Sequence, residues 1–253
     1  MKICSLSSGS KGNSLYVESA YARILIDAGI SAQQIKERLR SIEVDPAEID
    51  ALVLTHSHND HVRGAGILSR QMGIPIYAHP ETLDSISYLM RRKEILKPWS
   101  ESFSIKDLTF HPFRLSHDAF PTFGFLISNP TPKLAVCTDL GLVTGEVLEN
   151  LRQARLVIIE SNHDPEMLMN GPYPWELKER IASRVGHLSN HDTGLLLKNI
   201  LNGNLNRIFL AHLSEENNTL DLAKNTVLEY IGPGWETQVE IFQQKTVSPI
   251  FEI

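Results

Sequence analysis

Residues 50–64 read DALVLTHSHNDHVRG. The apolar run ALVLT ends in HSHNDH, which packs three histidines and an aspartate into six residues. ALVLT has the apolar, β-branched character of a buried strand, so the polar side chains begin where that strand emerges. His56 and His58 are two apart. In extended backbone they point the same way, so two imidazoles converge on one cation. Asp60 stands where a helix N-cap is expected, just before HVRGAG, and His61 then falls in the first helical turn. That places Asp60 and His61 further along, suited to a second cation beside the first. Gly64 and Gly66 permit close backbone approach on this helix. Neutral imidazoles and a carboxylate form a ligand set for zinc, manganese or iron(II). The plainer reading is a polar loop of surface histidines, and the crowding directly after a buried strand argues against it.

Working outward, strand-like and helix-like periods alternate. MKICSLSS begins a strand, and SLYVES with ARILIDAG makes a hairpin. SAQQIKERLRSI is a helix. HVRGAGILSRQM is a helix stopped by Gly73 and Pro75. IPIYA is a strand, and ETLDSISYLMRRKEIL a helix ending before Pro98. The second half repeats the style, with strands DLTFHPFRLSH, TFGFLISN, KLAVCTDLG, ARLVIIESN and RIFLAHLS. Its helices are EVLENLRQ, ELKERIASR, HDTGLLLKNIL and TLDLAKNTVLEYI, and QVEIFQQ and PIFEI close the chain as strands. Runs of strands followed by helices, once in each half, predict an α/β (α+β) fold: two mixed β-sheets packed face to face with helices outside. This is a four-layer αββα sandwich and not a doubly wound parallel sheet. No repeat, low-complexity tract or linker divides residues 1–253, which read as one domain.

The 253 residues are 42% hydrophobic, ample for a core, and carry a net charge of −6. A protein that grips nucleic acid through its whole surface is normally basic, so a polyanionic substrate here needs local positive charge and bound metal. No apolar run has the character of a signal peptide or a membrane span, and cytoplasm is the expected location. Cys4 and Cys137 sit in apolar, strand-like surroundings and read as buried thiols.

HSHNDH matches the H-x-H-x-D-H signature of the metallo-β-lactamase superfamily, and further segments in order make the chain resemble that superfamily along nearly its whole length. ILIDAG resembles the first motif, with Asp27. RLSHDAF supplies His117, CTDLG supplies Asp139, and FLAHLSEENN supplies His212. The superfamily fold is the αββα sandwich. The resemblance implies a hydrolase with two divalent metal ions per chain, zinc before manganese, with iron also open. His56, His58 and His117 would hold one ion, Asp60, His61 and His212 the second, and Asp139 would bridge them at the ~3.5–4 Å separation of such pairs. Asp27 would sit behind the ligands and fix an imidazole tautomer, or serve as a plain turn residue.

SLSSGSKGNSLYVES, IIESNHDPEMLMNGPYP, RVGHLSNHDTG and AHLSEENN resemble the YycJ/WalJ-like branch, which implies a phosphodiesterase or 5′-to-3′ exonuclease acting on DNA before RNA. Within that resemblance Asp60 and Asp139 join catalysis, and His187 would donate to a phosphate or leaving oxygen. Glu160 would orient a histidine, and His163 either stands behind the ligands or is structural. Locally, Ser189 and Asp192 also read as a helix cap that His187 merely precedes. SSGSKGNS lacks phosphate-loop spacing, so a hairpin turn is its plain reading, with Ser10 and Asn13 bracing the metal loops. Residues 91–93, RRK, form a dense basic cluster expected on a surface helix, and Trp99 and Trp175 are open to base stacking or packing. Two rivals stay open: an acyl hydrolase for a thioester, lactone or β-lactam, and a non-catalytic metal-bound binding or regulatory module.

Overall fold

The structure is a computed structural model of the chain, and it describes every residue except Arg92, Pro132, Asn202 and Ile253. The first sheet collects β1 (Lys2–Ser7), β2 (Ser14–Glu18), β3 (Arg23–Ile26), β4 (Ala51–Val53), β5 (Ile76–Ala78) and β6 (Leu96–Pro98) in sequence order. The second collects β7 (Phe103–Ile105), β8 (Leu108–Leu115), β9 (Thr122–Ser128), β10 (Lys133–Cys137), β11 (Leu156–Glu160), β12 (Arg207–Ala211) and β13 (Val239–Ile241). β14 (Phe251–Glu252) then returns to pair antiparallel with β1. Each sheet is mixed. β3 to β6 are parallel, as are β10 to β13, while β1–β2–β3 and β7–β8–β9–β10 are antiparallel.

Strand alternation sorts side chains into layers. Ile24, Ile26, Ala51 and Val53 face the second sheet and meet Phe110, Phe125, Val136, Ile158 and Phe209. Their neighbours Leu25 and Leu52 face outward onto α1 (Ala32–Ser41) and α3 (Ala65–Met72), beyond the short α2 (Asn59–Val62). α4 (Pro80–Ser85) follows β5. On the far side Val157, Ile159, Ile208 and Leu210 face α5 (Gly145–Leu151), then, past α6 (Pro165–Asn170) and α7 (Trp175–Ile181), α8 (Asn190–Ile200) and α9 (Leu220–Ile231). Both faces of the central strands are covered, which is why they read as unbroken apolar runs. The four layers agree with the architecture expected from the sequence.

Three local expectations are corrected. The helix expected over ETLDSISYLMRRKEIL stops at Ser85, with a 3₁₀ turn at Ser87–Leu89. The Glu94 carboxylate accepts from the backbone N–H of Arg91 (2.9 Å) and Lys93 (3.0 Å), a local alternative to the helical ladder. Arg91 and Lys93 therefore lie on an exposed loop, and Arg92 is outside the described residues. HVRGAGILSRQM is two helices, because the Gly64 N–H donates to Ala28 O at 2.8 Å instead of within the helix. A Cβ at Gly64 would stand 2.4 Å from Ile30 O, so only glycine permits this approach. Trp99 is 6% exposed, packed on Phe123 and Phe103, and is unavailable to bases. Trp175 is 58% exposed. No helix among the described residues is long and apolar enough to cross a membrane.

Phe125 lies wholly buried between the sheets, its ring 5.8 Å from that of Phe110 and 5.6 Å from that of Trp99. Phe125→Ala is expected to lower the free energy of unfolding by about 3–5 kcal/mol, read as a shifted urea midpoint.

Candidate metal centre

Parallel strands present their carboxyl ends at one edge of a sheet, which is where α/β folds place ligands. Here Asp27 follows β3, residues 55–61 follow β4, Asp139 follows β10, Glu160 ends β11 and His212 follows β12. β8 runs antiparallel to β9, and β9 to β10, so His117 after β8 reaches the same edge. Asp27, Asp139 and His212 all have left-handed φ values, 62°, 65° and 56°. Such conformations cost non-glycine residues energy and cluster at functional sites. Each turns the chain sharply at a strand end.

Ligand-capable atoms of His56, His58 and His117 lie within 4.8 Å of one another, and so do those of Asp60, His61, Asp139 and His212. His117 Nε2 is 3.2 Å from His58 Nδ1 and 3.7 Å from Asp139 Oδ1. Asp139 Oδ2 is 3.2 Å from His61 Nε2, and Asp139 Oδ1 is 3.5 Å from His212 Nε2. Asp60 Oδ2 stands 3.4 Å from both His61 Nε2 and His212 Nε2. All seven residues proposed from the sequence as ligands thus face one cluster. Asp60 is not the helix cap expected. His58 occupies that position without a capping side chain, and Asp60 lies in the first turn.

The cluster fits divalent cations. His56 Nε2 is buried with no hydrogen-bond partner, a rare state unless something absent completes it. Burial pushes the His56 imidazole well below its ordinary pKa. Burial acts the same way on His61 and His212, yet Asp139 with its neighbouring carboxylates holds both well above theirs. Neutral donors on one side and paired carboxylates on the other are the chemistry of a site for hard or borderline cations.

Hydrogen bonds behind the donors set their orientation. Asp27 Oδ2 is 2.7 Å from His61 Nδ1 and accepts from Thr55 Oγ1 at 2.8 Å, and Asp27 Oδ1 accepts from Thr55 N at 2.9 Å. His117 Nδ1 donates to Gly186 O at 3.0 Å. Glu160, fully buried, meets His187 Nδ1 at 2.5 Å and His212 Nδ1 at 3.2 Å through Oε1, while Oε2 accepts from Leu140 N. Burial alone would raise the Glu160 carboxyl, but His187 and His212 bring it down to about 2. His187 stands with its ring 5.1 Å from that of His117 and 5.2 Å from that of His212. Ser189 also caps α8, accepting from Asp192 N at 3.1 Å, so the two local readings of this segment coexist. His163 is buried near Ser189, its Nδ1 unpartnered, and falls in none of the donor groups.

Asn13 binds the metal loop directly, its Nδ2 3.0 Å from His61 Nε2 and its N–H donating to Asp60 O at 2.8 Å. Beside it, a Cβ on Gly29 would lie 1.6 Å from Asp60 O. Thr55 and Asp118, which no sequence motif marks, also stand at the site. Asp118 Oδ1 is 3.3 Å from His58 Nε2, and its Oδ2 accepts from Arg180 Nε at 2.6 Å. Their only signal was adjacency to His56 and His117. Ser10 lines the cavities beside the cluster.

A beta-lactamase superfamily domain profile matches residues 22–212. The chain is 34% identical over 230 residues to exodeoxyribonuclease YycJ of Bacillus anthracis, covering 89% of this chain and 87% of that protein. It is 34% identical over 259 residues to exodeoxyribonuclease WalJ of Streptococcus pneumoniae serotype 2, covering 98% and 96%. The metallo-beta-lactamase fold protein YhfI from Bacillus subtilis superposes with a TM-score of 0.72 at 15% identity, over 98% of both chains.

Asp27→Asn is expected to weaken metal affinity about 10- to 100-fold, measured by chelator competition, with the far-UV circular dichroism spectrum retained. Burial pushes His163 from its ordinary 6.5 down to about 4. The folded state then binds fewer protons than the unfolded, so stability falls as pH drops from about 6.5 to about 4, at up to ~1.4 kcal/mol per pH unit. Urea titrations across that window should show a shallower fall for His163→Gln.

Proposed function

The chain belongs to the metallo-β-lactamase superfamily of hydrolases, in its YycJ/WalJ-like branch, and from that membership we propose that it hydrolyses phosphodiester bonds of nucleic acid, DNA before RNA, as an exonuclease. The observation that carries the reading is the convergence of seven imidazole and carboxylate donors on one buried cluster, together with 34% identity to two exodeoxyribonucleases over most of each chain.

Two divalent ions fit the two donor groups, with His56, His58 and His117 around one, Asp60, His61 and His212 around the other, and Asp139 between. Zinc suits the imidazole-rich set best, with manganese or iron as alternatives. When bound, such ions make water acidic and neutralise charge on phosphoryl oxygens. The chain's own groups do the rest. Asp60 has a quarter-exposed carboxylate that lines the larger of the two cavities at the cluster, where it would orient the attacking water. Glu160 takes the Nδ1 of His187 and, against the downward pull of burial, holds that ring above its ordinary pKa. Nε2 is thereby left to donate to a non-bridging or leaving oxygen. No thiol enters: Cys137 is fully buried in β10, and burial pushes its thiol well up.

We read residues 1–253 as one domain, a reading supported by the pairing of β14 with β1 in the first sheet. Its described cysteines are free and buried, which fits the reducing cytoplasm.

End-labelled DNA and RNA, single- and double-stranded, incubated with zinc or manganese should show degradation from an end, DNA faster than RNA. Turnover of a glutathione thioester or nitrocefin without any of bis-p-nitrophenyl phosphate would replace this reading with an acyl hydrolase. Asp60→Asn should remove most hydrolysis while sparing the fold, and elemental analysis of the purified protein should give two metal ions per chain.

A further inference from the structure

The donor cluster opens on two cavities of different chemistry, with Ser10 lining both. The smaller, about 180 Å³, is bordered by Tyr173, Leu177, Ile181 and His187, and its one arginine, Arg180, is bound to Asp118. The larger, about 520 Å³, is lined by Lys11, Arg38, Arg63 and Lys245, with Asp60 the acidic residue among them. Four cations in one groove stand out in a chain of net charge −6. They come from four separate segments: the β1–β2 loop, α1, the end of α2 and the stretch after β13.

The groove is built and held. Gln244 Oε1 accepts from Lys11 N at 2.7 Å, and its Nε2 donates to Ser7 Oγ and Gly12 O, which fixes the loop carrying Lys11. Arg38 Nη1 donates to Gln244 O at 3.2 Å. Glu215 bridges the rim, its Oε1 3.1 Å from Lys245 Nζ and its Oε2 paired with Lys11 Nζ. Both lysine side chains stay largely in solvent, 69% and 80% exposed, so a polyanion can reach them. Four cations against two carboxylates, Asp60 and the Glu215 shared by the two ammonium groups, leave the groove net positive.

We propose that this groove is the track along which the phosphodiester backbone of a nucleic-acid strand approaches the metal centre, with Arg63 and Lys245 as phosphate contacts. The inference rests on the nuclease reading and adds to it the face on which the strand lies. The flank at Arg180 offers less to a strand's backbone: it carries one arginine and no lysine, and that arginine is paired with Asp118. Neutralising phosphates releases condensed counterions, so each contact contributes to the salt dependence of binding.

The test is fluorescence anisotropy of the metal-loaded protein with labelled, nuclease-resistant phosphorothioate DNA at several salt concentrations. The double variant Arg63→Ala, Lys245→Ala is expected to flatten the slope of log affinity against log salt by roughly 1.4 on single strands and roughly 1.8 on duplex. The charge-preserving pair Arg63→Lys, Lys245→Arg should retain the unsubstituted slope. So should Lys198→Ala, Lys224→Ala, a matched loss of two cations on α8 and α9. An unchanged slope in the first variant, with binding by the unsubstituted protein intact, overturns the track and leaves the nuclease reading standing. Absence of DNA binding and degradation by the unsubstituted protein overturns both.

Discussion

The Asp139 carboxylate is almost wholly buried, 1% exposed, with His61, His117 and His212 around it. A carboxylate removed from water is costly unless positive charge and hydrogen bonds replace its hydration. The rest of the site answers that constraint. The surrounding rings supply positive charge through protons, or leave room for cations to do so. The left-handed turn at Asp139, shared with Asp27 and His212, turns the chain toward the centre at the end of a strand. Strain accepted at three strand ends is held by the packed layers beneath them.

Those layers explain why the geometry survives. The strands that deliver donors have both faces covered, one by the opposite sheet and one by helices. Their carboxyl ends therefore move little relative to one another. The loops beyond them are tied by backbone bonds across the site: Asn13 N to Asp60 O, Ala28 N to His61 O, and Phe123 N to Thr55 O between the two sheets. Carboxylates then fix individual rings, Asp27 for His61 and Glu160 for His187 and His212. Four of the donor rings are held from behind by buried groups: His56 by Thr55, His61 by Asp27, His117 by Gly186 O and His212 by Glu160.

Charge is divided between the centre and its flanks. The protein as a whole is acidic, so the four cations beside Asp60 are a local feature and not a property of the whole surface. The RRK cluster, the most conspicuous basic stretch in the sequence, contributes exposed loop residues Arg91 and Lys93, while the cations that share a cavity with Asp60 are scattered from position 11 to 245. Contiguity along the chain was a poor guide to contiguity in space.

What the sequence by itself determined was the layer order and the place along the chain where ligand-capable side chains are densest. Alternating strand and helix periods led to the four layers, and HSHNDH drew attention to the strand end where donors gather. Both are local signals, legible because burial imposes periodicity and because histidine crowding is uncommon. Where local competition intervened, the sequence misled: Glu94 capturing the N–H groups of Arg91 and Lys93 ended a helix that periodicity would have continued. Only the tertiary structure decided that His117, Asp139 and His212 face the HSHNDH loop, that Thr55 and Asp118 stand behind the rings, and that Trp99 is core. The same holds for the convergence of Lys11, Arg38, Arg63 and Lys245. These depend on contacts between residues far apart in the chain, and such contacts are set by how the sheets pack, which no single segment encodes.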